Sequence, residues 1–354
     1  MPIFKSHLYK LSAYKPPLEG RDPDKHLLLD FNERTLPVSA PVRDALIEYI
    51  RSDRIQLYPS YGDIVQRLSE YTGADASQLM ISNGSDQGIE LVFRACGSPG
   101  EEVIIPEPNF AMYNQCAQIE GMTVIAPFYS RDNGLPVKDI IAAVNEKTRV
   151  ICIASPNNPS GVGAETEDIL SIAKAAPDAC VLVDECYFEY SQKTVAGYVA
   201  EYPNIVITRT FSKTWGMPSL RFGYLIAAEE NIQALLSVRG PYDINQLGVV
   251  AARAALDNPE YTECYVDEVM TQSKPEFEKF LDEKNIPYWP SEANYIWMFP
   301  ENPEDIEQHL HANNILVRPK KDADGNIGLR VTLGTLTQTR RLIDSLNLKL
   351  SVNE

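Results

Sequence analysis

The chain has 354 residues, of which 44% are hydrophobic, and 49 acidic against 32 basic residues give it a formal net charge of −17. That length suits one large globular unit or two lobes with a sizeable core, and the acidic excess excludes a nucleic-acid partner, which needs basic patches. No apolar run approaches the ~20 residues of a membrane span, so no membrane partner is expected, and the opening "MPIFKSHLYKLSAYKPP" is too polar for a secretion signal, which leads to the expectation of a cytoplasmic protein.

In chain order, the first residues, rich in Pro, Tyr and Lys, read as an arm that packs on a second lobe or on a partner chain. From about residue 100, apolar β-branched runs alternate with segments of helical period. "EEVIIP" (101–106) precedes the helix-like "NFAMYNQCAQIEG", and "MTVIAP" follows. "TRVICIASP" (148–156) precedes "ETEDILSIAKAA", and then come "CVLVDE" (180–185), "NIVITRT" (204–210) and "FGYLIAA" (222–228). Short buried strands between helices predict an α/β fold with a mostly parallel sheet covered on both faces. From about residue 229 the pattern changes to long helical segments. These lead into the short strands "NYIWMF", "NILVRP" and "GLRVTL" and a last helix, "TLTQTRRLIDSLNLKL", a second and smaller α+β lobe. The expected boundaries are 1–35 for the arm and part of the small domain, 36–240 for the large domain and 241–354 for the small one.

The six cysteines are scattered and none forms CxxC, so neither a disulfide framework nor a zinc site is indicated. "HLH" at 309–311 reads as one surface of an amphipathic helix, and no metal is expected.

Ligands of parallel α/β sheets bind at the loops leaving the strand C-termini. Three such ends here carry chemistry. "CVLVDECY" leaves Asp184 at a strand end with Tyr187 three residues on. "ICIASPNNPSG" leaves Asn157 and Asn158 in a Pro/Gly turn. "NIVITRTFSK" leaves Thr210, Ser212 and Lys213. If those strands are neighbours, an acid, an amide, a phenol, hydroxyls and an amine converge. This set fits pyridoxal 5'-phosphate, whose aldehyde takes a lysine as Schiff base and whose ring nitrogen pairs with a carboxylate.

With those motifs in this order, the chain resembles the fold-type I pyridoxal-phosphate enzymes, class I/II aminotransferases, of the histidinol-phosphate aminotransferase-like branch. The resemblance runs from about Tyr14 to Leu348. It implies that Lys213 is the Schiff-base lysine, that Asp184 pairs with the ring nitrogen, and that Tyr187 and Asn158 hydrogen-bond the ring oxygen. It further implies a phosphate cup made of the Ser85 and Asp86 amides in "NGSDQGIE" together with Thr210, Ser212 and Arg221. Phe110 in "PNFAMY" is implied as the ring that stacks on the cofactor. Tyr58 in "LYPSYGD" is implied to reach the phosphate across a homodimer interface. Arg330 in "GLRVTLGT" is implied as the clamp on a substrate α-carboxylate, Arg318 in "ILVRPKKD" matches the position where that branch places an arginine for a substrate phosphate, and Tyr14 in "SAYKPP" fits its N-terminal, substrate-binding tyrosine. The implied activity is transfer of an amino group between an amino acid and a 2-oxo acid.

One segment departs from the pattern. Many relatives carry Asn-Glu-Asn-Pro near the start of the large lobe, where this chain has Asn32, Glu33, Arg34 and Thr35. Asn32 is expected near the substrate, so the departure leaves the choice between imidazole-phosphate, aromatic and other amino donors open. A lyase, decarboxylase or cyclase acting on an amino acid through the same cofactor stays open for the same reason. The alternative from another class, a cofactor-binding sensor without turnover, would leave the arginine clamp idle.

Overall fold

The structure, a computed structural model, describes residues 3–12 and 17–351. Tyr14 lies outside the described residues. The first strand is a two-residue piece, Leu27–Leu28 (β1). Seven strands then build the central sheet: Leu79–Ser82 (β2), Glu102–Ile104 (β3), Thr123–Ile125 (β4), Thr148–Ala154 (β5), Cys180–Asp184 (β6), Ile205–Thr210 (β7) and Gly223–Ala227 (β8). Their spatial order is β2-β8-β7-β6-β5-β3-β4. All neighbours are parallel except at β8, which runs against both β2 and β7.

The sequence alternation explains why this sheet is covered twice. Successive strand residues point to opposite faces. Ile151, Ile153, Val181, Val183, Ile205 and Ile207 enter one apolar cluster, and the intervening Val150, Cys152, Leu182 and Val206 enter another. Each such aliphatic side chain gains about 1.5–3 kcal/mol on full burial, so a strand apolar on both faces is stable only between two helical layers. Helices Gly84–Cys96 and Ala111–Glu120 cover the second face, and Thr166–Ala175 packs into the first cluster. That cluster continues through Ile244, Val249, Ala251, Ala252 and Ala255, past residue 240, the expected end of the large domain.

The other lobe has its own core, from Leu27 and Leu29 to Leu342 and Leu346. Its antiparallel sheet holds Tyr295–Met298 (β9), Arg318–Lys321 (β11) and Ile327–Thr332 (β12) in the order β11-β12-β9. "NILVRP" splits in two: Ile315–Leu316 (β10) pairs in parallel with β1, and the chain then crosses to β11. The long segment after residue 259 is helical over Glu260–Glu268 and Lys274–Glu283, joined by a π-type turn at Val269–Ser273. Pro275 accounts for that turn. It has no N–H for the carbonyl four residues back and its ring crowds that carbonyl, so the helix widens just before it. "HLH" lies on helix Pro303–Ala312, as its period predicts.

Candidate active site

The order β8-β7-β6-β5 answers the question of adjacency. Because β5, β6 and β7 are parallel neighbours, their C-terminal ends share one edge, and Asn158, Asp184 and Lys213 meet there. Strand β8 runs the other way, so its start lies on the same edge and brings Arg221. Strand β2, reversed again relative to β8, ends there and hands the chain to helix Gly84–Cys96. A cavity of about 240 Å³ opens at this edge, and its wall includes Asn158, Asp184, Lys213 and Arg221. Ser85, Asp86, Phe110, Tyr187, Thr210 and Ser212 also line it.

Asp184 is buried, and its carboxylate accepts from the Tyr113 hydroxyl at 2.5 Å and from the Cys186 amide at 3.1 Å. Among the described residues no Lys, Arg or His forms an ion pair with it. Burial, partly offset by those hydrogen bonds, raises its carboxyl above the usual range. The next residue along, Glu185, faces away and pairs with Arg209 at 2.8 Å, so the acid behind the sheet is neutralised and the one in the cavity is not. Lys213 donates to the Phe31 carbonyl at 2.9 Å. Its ammonium is disfavoured by burial first and by the Arg330 charge second, which lowers its pKa to about 8.

At the other end of the cavity, Arg221 bonds Asp86 at 2.9 Å and the Ser212 hydroxyl at 3.3 Å. Thr210 accepts from the Ser212 amide at 3.1 Å. This corner demands glycine twice. Gly84 has φ +75°, and a Cβ there would lie 2.5 Å from Arg221 Nη2. A Cβ on Gly223 would come within 2.8 Å of the Ser85 amide nitrogen. Helix start, hydroxyls and guanidinium are packed as closely as an anion pocket requires.

Arg330, on β12, donates to Asn158 Oδ1 at 2.5 Å and to the Asp30 carbonyl at 2.7 Å, and its buried Nε has no partner among the described residues. In register it stands directly opposite Arg318 on β11. Arg318 lies over the Phe31 ring at 5.5 Å. Neither arginine forms a salt bridge among the described residues. Asn32 donates to the Tyr187 hydroxyl at 2.9 Å, which ties the departing 32–35 segment directly to the site. Tyr58 does not line this chain's cavity. It is exposed and its ring lies 4.5 Å from that of Tyr242. Sequence reasoning missed Tyr113 and Phe31. Tyr113 is within reach of it, one helical turn beyond Phe110 and so on the same face; Phe31 contributes its ring and a backbone carbonyl, and the carbonyl leaves no mark in a sequence.

The sequence model of the family described as "Aminotransferase class I and II" matches residues 25–346. The chain belongs to the class I and II aminotransferases. Among its relatives, a histidinol-phosphate aminotransferase of Brevibacillus brevis is 34% identical over 89% of this chain and 88% of that one. A histidinol-phosphate aminotransferase of Ruminiclostridium cellulolyticum is 30% identical over 95% of this chain and 96% of its own length. Among solved structures, the histidinol-phosphate aminotransferase of Sinorhizobium meliloti in complex with pyridoxal-5'-phosphate superposes with a TM-score of 0.87 at 21% identity, covering 98% of this chain and 97% of that one.

This aminotransferase is a pyridoxal-phosphate-dependent enzyme that moves an amino group between an amino donor and a 2-oxo acid. The side chains present suit that cofactor. A buried carboxylate without a cation is costly, and a protonated ring nitrogen would supply the charge that Asp184 lacks. The glycine-lined corner at Arg221 suits a phosphate, and an amine with a lowered pKa at Lys213 suits an aldehyde.

Proposed function

We propose that the cofactor is held by Lys213 and Asp184 and that the favoured donor carries a phosphate, as histidinol phosphate does. The observation that carries this reading is the register pair Arg318 and Arg330: two guanidiniums on neighbouring strands, neither neutralised by a carboxylate among the described residues. One α-carboxylate needs one arginine fork, whereas a phosphate dianion has charge and oxygens for two. The relatives named histidinol-phosphate aminotransferases point the same way.

In this reading the Ser85 and Asp86 amides, Thr210, Ser212 and Arg221 receive the cofactor phosphate, and Phe110 lies against the ring. Asp184 holds a proton on the ring nitrogen. Tyr187, oriented by Asn32, and Asn158 serve the ring oxygen. When bound, the cofactor supplies an aldehyde carbon that engages amines and a ring that draws electrons from the substrate Cα. Arg330 and Arg318 fix the anionic end of the donor and so orient its Cα–H bond. The Lys213 amine, at a pKa of about 8, is unprotonated in a useful fraction near neutral pH and can take that proton as general base.

Donor preference tests the reading. Wild-type enzyme should use histidinol phosphate over phenylalanine or leucine. Arg318→Ala should lower kcat/KM for histidinol phosphate by about tenfold to a hundredfold, the worth of one charged hydrogen bond of about 1.5–3 kcal/mol. The same change should leave amino acids without phosphate far less affected. Equal losses for both classes, or no turnover of histidinol phosphate, would overturn it.

We also propose a homodimer. Ile47, Ile50, Ile55, Leu57, Tyr58 and Tyr242 are exposed on helix Ala40–Arg51, the loop after it and the segment that stacks on Tyr58. Covering so many large apolar side chains favours association, and pairing through them would offer Tyr58 to the other copy's cavity. A single-chain mass by sedimentation at micromolar concentration would exclude it.

A further inference from the structure

Arg34 occupies one of the positions where the chain departs from the common pattern, and it is only 8% exposed. Its Nη1 donates to the Thr214 carbonyl at 3.2 Å and to the Thr262 hydroxyl at 3.0 Å, and its Nη2 donates to the Tyr261 carbonyl at 3.3 Å. The guanidinium lies 4.5 Å from the Tyr261 ring centre and 4.7 Å from that of Tyr265. No carboxylate pairs with it among the described residues. A cation buried on neutral acceptors carries a desolvation cost that a neutral side chain would avoid.

What it touches gives that cation a use. Thr214 follows Lys213 directly. On its other side the same loop is gripped by Glu189, which accepts from the Thr214 hydroxyl and the Trp215 indole, each at 2.9 Å. Gly216, at φ +71°, leaves room for the arginine stem, since a Cβ there would lie 2.8 Å from Arg34 Cδ. Three residues before Arg34, the Phe31 carbonyl accepts from the Lys213 amine. One short strip therefore holds Lys213 at both ends, by its amine through residue 31 and by the following backbone through residue 34. Thr262 and Tyr261 lie on helix Glu260–Glu268, whose Tyr265 belongs to the small-lobe core.

We infer that Arg34 is a positioning residue for Lys213, a strut that fixes the Thr214 carbonyl from the small-lobe helix so that the docking of the two lobes sets where the amine sits. The planar fork is what spans carbonyl, hydroxyl and second carbonyl at once, and a lysine reproduces only part of it. The inference rests on the assignment of Lys213 as the cofactor-bearing lysine.

The test uses the full-length enzyme with Arg34→Gln, Arg34→Lys and Thr262→Val. Borohydride trapping followed by peptide mapping first asks where the cofactor is attached. In Arg34→Gln, with the cofactor still on Lys213, kcat and exchange of the donor Cα hydrogen with deuterated solvent should fall together by about tenfold to a hundredfold, the scale of a displaced reacting group. KM should stay within about threefold, because no donor contact is lost. Acylation of Lys213 in cofactor-free protein should titrate with a midpoint above the wild-type value of about 8, since an amine released from its buried seat moves back toward its ordinary range. Arg34→Lys should recover part of both losses. A merely structural arginine would alter the melting temperature and neither the kcat-to-KM pattern nor the titration midpoint. Wild-type kcat and midpoint in Arg34→Gln, or a raised KM with kcat intact, overturn the inference. If Arg34→Gln does not fold, Thr262→Val decides. It removes one bond, so a loss in kcat of about fivefold with a raised midpoint supports the strut and no change refutes it. Trapping of wild-type enzyme at another lysine would instead defeat the assignment of Lys213 itself.

Discussion

Replacing Lys213 with alanine should lower turnover by at least about ten-thousandfold, the upper range for loss of a positioned general base. It should also leave no borohydride-stable attachment of the cofactor to the chain. Both losses have one origin, because among the described residues the cavity wall offers a single amine, that of Lys213. Stability provides the control that separates lost chemistry from lost fold. In cofactor-free protein, the form in which this comparison is made, the Lys213 amine has a pKa of about 8 when folded, against ~10.4 for an unperturbed lysine. Between those values the unfolded chain binds more protons than the folded one, so wild-type stability gains from this group as pH rises from about 8 toward ~10.4. Below that window both states are protonated and the burial cost stands in full. The alanine variant has no ammonium to bury. Its thermal midpoint should lack that rise, and at neutral pH it should not fall far, the lost bond to the Phe31 carbonyl being offset by the relieved burial. A Lys213→Ala variant that retains turnover would refute the assignment outright. A variant that is inactive because it has unfolded would show itself in the melt.

Much of this candidate site is legible in the sequence. Asp184, Asn158 and Lys213 each follow an apolar β-branched run, and the rule that ligands gather at such ends needs only their adjacency. Adjacency is what local pattern withholds. The runs at 150, 180 and 205 are chemically alike, and nothing in them says that β6 lies between β5 and β7, or that β8 is reversed and so delivers Arg221 to the same edge. Strand β2, four residues long, is not among the runs that the sequence pattern picks out, although it launches the helix that carries Ser85 and Asp86. The pairing of Arg330 with Asn158 spans 172 residues and has no local trace. Arg34 illustrates the opposite case. It was visible as a departure from the pattern of relatives, but its meaning depends on Thr214 and Thr262, which are 180 and 228 residues away.

Asp184→Asn isolates the charge from the shape. Asparagine fills nearly the same volume and its oxygen can still accept one of the bonds now made by Tyr113 and the Cys186 amide. It cannot carry the negative charge that, in the proposed reading, would keep a ring nitrogen protonated. Breaking a buried ion pair by removing one partner costs about 3–5 kcal/mol, and with the cofactor bound that loss would fall on the electron-withdrawing power its ring supplies. Turnover should therefore drop by roughly two to four powers of ten, while the cofactor still attaches to Lys213 and is retained by the Arg221 corner. The cofactor-free fold should respond in the opposite sense. Burial raises the Asp184 carboxyl above its unfolded value, so the folded state holds its proton more tightly, and the group's contribution to stability declines as pH rises through that window. A neutral amide has no such decline, and Asp184→Asn without cofactor should melt no lower than wild type at neutral pH. Slower chemistry in an equally stable protein is the signature of a carboxylate kept for its charge. Wild-type turnover in that variant would mean that Asp184 shapes the cavity without serving the reaction.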